Sequence, residues 1–263
     1  MPLDSRQLAS QGQFDRQSRN YGPSHILADV SDIAAALDGV VVPTSGRALD
    51  VATGGGHTAV WLAERGWAVT ASDLSHAMLQ RASELAAAKG IALGTALHEA
   101  ERLPYDGGAF QIVTCRVAAH HFSNPEAFVS DVARVLRPGG IFLLIDGSVP
   151  DGEPEAAEWI HAVEKWRDPS HGRFLSPDEW SELCRNAGLE ILKCGTTPFK
   201  QPDLQWYFET AGTPAPNRDE VMKLIRSAPD QAVRAFRLAE ENGKVVWWWP
   251  RLSLVARKNR GVP

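Results

Sequence analysis

The chain has 263 residues, 44% hydrophobic and 22% charged, which is ample apolar material for one large globular core. Its 27 basic and 32 acidic side chains give a net charge of −5, so no broad basic surface for nucleic acid is implied, and no apolar run approaches membrane-spanning length. Three scattered cysteines, Cys115, Cys184 and Cys194, argue against a disulfide framework or a zinc site and for a reducing compartment. The polar start, with Asp4, Arg6, Asp15 and Arg16, does not read as a signal peptide, so the expected location is cytoplasmic. Residues 5–20 are polar and mixed in charge, with Phe14 as an isolated anchor, and Tyr21 to Ser24 is a break. Pro23 to Leu37 then reads as a helix, with Ile26, Val30, Ile33 and Leu37 at helical spacing.

The most informative stretch runs from Arg47 to Thr58. Ala48 to Ala52 is apolar apart from Asp50, as a buried parallel strand should be, and Gly54-Gly55-Gly56 follows. His57 to Arg65 reads as a helix that stops at Gly66. A strand, a glycine turn and a helix start present backbone amides to an anion, and Gly54, Gly56 and Ala59 satisfy the G-x-G-x-x-G/A spacing. Such a turn suits a dinucleotide, S-adenosylmethionine, or no ligand at all. The second strand, Trp67 to Ser72, ends at Asp73, 17 positions beyond Gly56. A carboxylate there can accept from both hydroxyls of a ribose, or it can serve as the N-terminal charge of the next helix, Ser75 to Lys89.

Ile91 to Leu97 is the third strand, with Glu99 just beyond it at the ligand edge of such a sheet, and Phe110 to Arg116 is the fourth. The fourth strand leads into His120 and His121. Their near-neutral pKa suits proton transfer, although one could pack and the other be solvated. Asn124-Pro125 opens a helix, Arg137-Pro138-Gly139-Gly140 turns the chain, and Ile141 to Ile145 is a fifth strand ending at Asp146. The second half departs from strict alternation. Helices are expected over Glu155 to Trp166 and from Ser176 to about Ala187, then a sixth strand over Leu189 to Cys194. Residues 203–243 read as helical throughout, and Lys244 to Arg257 as one long closing strand carrying Trp247, Trp248 and Trp249.

Several of these segments resemble class I S-adenosylmethionine-dependent methyltransferases. Ala48 to Gly56 resembles their first motif. Glu101 to Tyr105 followed by Phe110 to Arg116 resembles the middle motif, and Ala133 to Gly140 resembles the turn before their fifth strand. The match is closest to the small-molecule branch similar to ubiquinone/menaquinone-biosynthesis methyltransferases. It covers residues 47–146 well and extends weakly to about 195. The resemblance implies that Asp50 and the turn of Ala52, Thr53, Gly54 and Gly56 hold the methionine end of the cofactor. It puts Asp73 on the ribose and Leu74 on the adenine, with Glu99 and Ala100 at the adenine edge and Arg116 and Val117 near the sulfonium. Two departures are visible: Ala52 stands where the family has its first glycine, and the longer Glu99 where it often has aspartate.

Alternation and resemblance together imply an α/β fold: a Rossmann-like, doubly wound, seven-stranded sheet, mostly parallel with an antiparallel C-terminal strand, plus a helical lid insertion. The expected organisation is an N-terminal helical segment (1–45), the cofactor-binding core (46–200), the helical insertion (201–243), and the last strand and tail (244–263). The expected function is methyl transfer from S-adenosylmethionine to a small, apolar or aromatic metabolite, with His120 or His121 as base where the acceptor must lose a proton. His171 and Arg173 are further candidates for holding an acidic substrate, and Tyr21 and His25 for closing over the ligand. No metal, nucleic acid or membrane is expected as partner, and the oligomeric state, a homodimer among the possibilities, stays open. Alternatives are S-adenosylmethionine binding for other chemistry and an NAD-dependent oxidoreductase. Against the latter, no Tyr-x-x-x-Lys pair follows the fourth strand.

Overall fold

The computed structural model describes residues 2–22 and 25–260. Helix α1 spans Ser5–Gln17. The Asp4 carboxylate accepts from the Gln7 amide while the Gln7 side chain accepts from the Asp4 amide, a reciprocal cap that turns this polar stretch into a defined helix. The single helix expected over Pro23 to Leu37 is instead a 3-10 turn, Ile26–Ala28, and a short helix α2, Ser31–Leu37; its expected start at Pro23 and Ser24 lies outside the described residues. There follow β1 Gly46–Val51, α3 His57–Ala63, β2 Trp67–Asp73, α4 His76–Ala88, β3 Gly94–Leu97 and β4 Phe110–Arg116. The chain continues through α5 Pro125–Val135, β5 Leu136–Gly147, α6 Pro154–Arg167, α7 Pro177–Asn186 and β6 Leu189–Lys200. It ends with α8 Leu204–Ala211, α9 Ala215–Arg226, α10 Asp230–Ala235, β7 Ala239–Glu241, β8 Lys244–Val246 and β9 Trp248–Lys258.

The main sheet has seven strands in the order β3-β2-β1-β4-β5-β9-β6, and β9 runs antiparallel to both its neighbours. Alternation along each strand feeds two layers. Leu49, Val51, Phe142 and Leu144 pack with Phe128, Val132 and Trp180 from α5 and α7. Ala48, Ile112, Ile141 and Val255 pack with Ile33 and Leu62 from α2 and α3 on the other side. A third cluster joins α6 to α8, α9 and α10 through Trp159, Ile160, Tyr207, Val221 and Phe236.

Five local expectations are corrected. The third strand starts at Gly94 rather than Ile91, and the sixth runs on to Lys200 because β9 pairs with it along its whole length. The Arg137 to Gly140 turn does not precede β5 but bulges within it: Phe110 pairs with Leu136, then Ile112 with Ile141. Residues 203–243 are not helical throughout. After Ala235 the chain forms the β7–β8 hairpin, turned by Asn242 and Gly243 with φ of 52° and 73°. That hairpin also splits the expected long strand, leaving Trp247 between β8 and β9, where it is buried against Tyr207.

Candidate active site

β1 and β4 lie side by side at the centre of the sheet, and the chain leaves them toward opposite edges, which opens a crevice beyond their carboxyl ends. A cleft of about 940 Å³ occupies it, walled by Ala52, Thr53, Gly54, Asp73, Leu74, Ala100, Arg116 and Val117 among others. The turn after β1 is left-handed at three residues, with φ of 53° at Ala52, 53° at Gly54 and 84° at Gly56. At Gly56 a Cβ would come within 2.7 Å of the Ala82 backbone, so glycine is what lets α3 approach α4. Ala52 holds the same conformation with a methyl group, at a cost on the order of 1–2 kcal/mol.

Most of the turn is fastened internally. The Thr53 amide donates to the Ser72 carbonyl at 2.9 Å, and the Gly54 amide to Asp73 Oδ2 at 2.9 Å. Asp73 Oδ1 accepts from the Ser75 amide at 2.9 Å, so each carboxylate oxygen retains a lone pair toward the cleft. Burial pushes the Asp73 pKa up to about 6, against the lowering effect of those amides. Asp50 lies behind the wall. Its carboxylate accepts from the Thr114 and Thr53 hydroxyls, both at 2.6 Å, and burial raises its pKa to about 6 as well. Its direct action is on Thr53, which it orients.

The structure separates the remaining residues. Glu99 is not on the cleft wall. It receives Gln7 Nε2 at 2.9 Å and pairs with Arg102 at 3.4 Å, while Ala100, Glu101 and His98 line the cleft. Gly56 likewise serves helix packing rather than the wall. Arg116 reaches the cleft, yet its guanidinium is engaged by protein: Nε reaches both Asp32 oxygens at 3.0 Å and Nη1 the Leu27 carbonyl at 2.9 Å. It therefore pins the 27–32 segment to the sheet.

A second pocket of about 880 Å³ adjoins the first, and Phe14, Tyr21, Leu27, Val117 and His121 border both. Val117 is left-handed at φ 55°, a strained state for a β-branched residue, and its amide donates to the Ile145 carbonyl at 2.7 Å. The antiparallel edge of the sheet supplies the pocket's floor, since Gly147 of β5 faces Arg251 of β9. A side chain at Gly147 would run into the Phe174 ring. Aromatic rings from Phe174, Phe199, Trp206 and Trp249 line the walls, together with Tyr21 and His25, which stack at 4.5 Å.

The two histidines have opposite environments. Asp146, 1% exposed, accepts from the His120 amide at 2.8 Å and holds His120 Nδ1 at 2.6 Å. Burial opposes charge on His120, but Asp146, with Glu164 and Asp168 beyond it, outweighs burial and lifts the pKa above its ordinary value. Its Nε2 has no hydrogen-bond partner among the described residues, and its ring borders the second pocket. His121 Nδ1 lies 3.2 Å from both the carbonyl and the hydroxyl of Ser170, and burial, then His120, push its pKa down to about 4. An oriented histidine whose pKa is raised thus sits beside one held neutral. His171 is buried and kept neutral, again chiefly by burial, and Arg173 pairs with Glu179 on the surface; neither borders either pocket.

Sequence reasoning missed the roof. Gln7, Ser10, Gln11 and Phe14 of α1 border the cleft, and Gln11 donates to the Leu74 carbonyl at 3.0 Å. The cap pair Asp4 and Gln7 was the available signal for that helix. It also missed the buried pair of Glu164 and Arg167 at 3.0 Å, closed by the Tyr207 hydroxyl on Glu164 at 2.8 Å. No group of three or more His, Cys, Asp or Glu side chains among the described residues is arranged to hold a metal. No helix among them is long and apolar enough to cross a membrane.

Comparison with known proteins agrees with this geometry. A family model described as a methyltransferase domain matches residues 49–144. The chain is 28% identical over 247 residues to the uncharacterized methyltransferase YcgJ of Bacillus subtilis, covering 91% of this chain and 94% of that one. The crystal structure of YcgJ superposes with a TM-score of 0.79 over 88% of this chain and 99% of that chain. A crystal structure from Bacillus halodurans C-125, 32% identical, gives 0.81 over 87% of this chain and 99% of that chain. A ubiquinone biosynthesis O-methyltransferase of Xanthomonas axonopodis is 30% identical over 176 residues, covering 64% of this chain and 72% of its own. On fold, site architecture and these relationships, the chain belongs to the class I methyltransferases.

Proposed function

We propose that the chain uses S-adenosylmethionine to methylate a small molecule held in the aromatic pocket, with His120 as the base that takes the acceptor's proton. The observation that carries this reading is the junction of the two cavities at Val117 and His121, with the oriented imidazole of His120 on the acceptor side. The cleft's own groups fit the cofactor. Asp73 keeps acceptor capacity for a diol, a Cβ at Gly54 would meet nothing nearer than the Tyr21 ring at 4.0 Å, and the Gly55 amide has no partner among the described residues. Asp73, Leu74 and the turn of Ala52, Thr53 and Gly54 would hold it, with Ala100, His98 and Met78 alongside. When bound, the group supplies a methyl already activated on a sulfonium.

The chain's residues then have few tasks. The walls orient the acceptor and exclude water. Asp146 holds His120 in the tautomer with Nδ1 protonated, leaving Nε2 to accept the acceptor's proton, and it stabilises the imidazolium that results. The aromatic lining favours an aromatic or apolar acceptor, and the likeness to an O-methyltransferase makes a hydroxyl the first group to try. Calorimetric titration with S-adenosylmethionine, S-adenosylhomocysteine and NAD tests the cofactor: binding of the two sulfur nucleosides and none of NAD is expected. NAD binding alone would overturn the reading. Methylated product from a phenol panel, lost in His120→Ala while S-adenosylhomocysteine affinity holds, tests the transfer. Cofactor binding without any methylated product would instead favour other chemistry on the same site.

A further inference from the structure

The second pocket holds one weakly paired guanidinium that the methyl-transfer reading does not use. Arg251 projects from β9 onto its floor, and its side chain is only 11% exposed. The guanidinium carbon lies over the Phe199 ring, 3.7 Å from the centroid, a cation–π contact that does not consume its N–H donors. One hydrogen bond engages it among the described residues, a long one of 3.4 Å to Asp32 Oδ2. Arg116 already claims both oxygens of Asp32 at 3.0 Å, so two guanidiniums share one carboxylate. The pocket's other acids are committed. Glu164 is bound to Arg167 and the Tyr207 hydroxyl, Asp146 beneath the floor to His120, and Asp168 to the Ser170 amide and hydroxyl. A buried cation without a carboxylate of its own carries a desolvation penalty that an anionic ligand relieves. Burial, with Arg116 close by, holds the Arg251 pKa below its usual value, as an under-compensated guanidinium should be.

We infer that Arg251 anchors an acidic group on the acceptor, so that the substrate class is small aromatic or apolar molecules carrying a carboxylate or comparable anion besides the group that is methylated. This rests on the methyl-transfer reading for the word acceptor, but not for the site. Phe199 and Trp249 pack the ring, and Arg251 takes the acid through a two-point contact. Arg173, the cation that sequence alone suggested for this task, is on the surface with Glu179.

The test is a calorimetric comparison of matched acid and amide pairs, namely benzoate with benzamide and para-hydroxybenzoate with para-hydroxybenzamide. Each is titrated into the full chain with and without S-adenosylhomocysteine. At least one acid is expected to bind more tightly than its amide. Arg251→Gln should erase that preference, a loss of roughly 10- to 100-fold for a charge-assisted hydrogen-bond pair, with amide affinity unchanged. Arg251→Lys should retain part of it, and Lys200→Gln, which changes an exposed cation, all of it. No acid preferred over its amide, or a preference that survives Arg251→Gln with the fold intact by circular dichroism, overturns the inference. Acid preference without nucleoside binding would sink the methyl-transfer reading and leave the anion site standing; the reverse result would do the opposite.

Discussion

Replacing Asp146 by asparagine isolates the chemistry assigned to His120. The Asp146 carboxylate accepts from the His120 amide at 2.8 Å, from His120 Nδ1 at 2.6 Å and from the Gly147 amide at 2.8 Å. Asparagine is nearly isosteric, keeps one carbonyl acceptor and removes the charge. A hydrogen bond to a charged group contributes about 1.5–3 kcal/mol net. At about 1.4 kcal/mol per pKa unit, its loss should lower the His120 pKa by about 1–2 units. Burial already disfavours the imidazolium, so the shift should carry His120 from above the ordinary histidine value to below it. Two-dimensional proton–nitrogen NMR of the imidazole rings across pH would read the change directly. The acid limb of the rate profile on a working acceptor should move down by the same amount, and the plateau should fall because the base is weaker. S-adenosylhomocysteine affinity should be unaffected, which controls for folding. A His120 pKa within a few tenths of the wild-type value would refute the assignment of Asp146 as its tuning partner.

Three other outcomes follow from the same structure. Asp73→Ala removes two protein hydrogen bonds and the diol acceptor, so S-adenosylhomocysteine affinity measured by calorimetry should drop by on the order of 1–3 kcal/mol; unchanged affinity would take Asp73 out of the site. Gly147→Ala drives a methyl into the Phe174 ring, so the denaturation midpoint should indicate a loss of about 1–3 kcal/mol, with acceptor binding impaired and nucleoside binding kept. Stability should fall on acidification from pH 7 toward 4. His25 and His121 titrate near 4 when folded, and His57, His98, His161 and His171 are also lowered, so their stabilising contribution is complete above about 6.5 and is lost as pH falls. Asp50 and Asp73, raised to about 6, and His120, raised above its usual value, act in the opposite sense but are fewer. A denaturant midpoint that rises between pH 7 and 4 would contradict that balance.

The sequence by itself determined the α/β alternation, the glycine turn and the positions of Asp73, His120 and His121. These are local patterns: apolar runs bounded by turn residues, and residue types tied to a strand end. Two further features were written locally but overlooked, the Asp4 and Gln7 cap that makes α1 and the Asn242-Gly243 turn that makes the β7–β8 hairpin. Tertiary structure decided the rest. Asp50 and Asp73 look alike in sequence, yet one props Thr53 from behind the wall and the other borders the cleft, because the parallel register pairs Asp50 with Ala71 inside the sheet and carries Asp73 past the end of β1. His120 and His121 are neighbours whose pKa values move in opposite directions, because partners 26 and 49 positions away, Asp146 and Ser170, meet them separately. Arg251 gains its place in the pocket from an antiparallel register with Gly147 and a ring from β6, contacts between segments whose meeting no local pattern encodes. Period and turn chemistry act over a few residues and are legible in order along the chain, whereas burial, charge compensation and pocket shape arise only where distant segments are brought together.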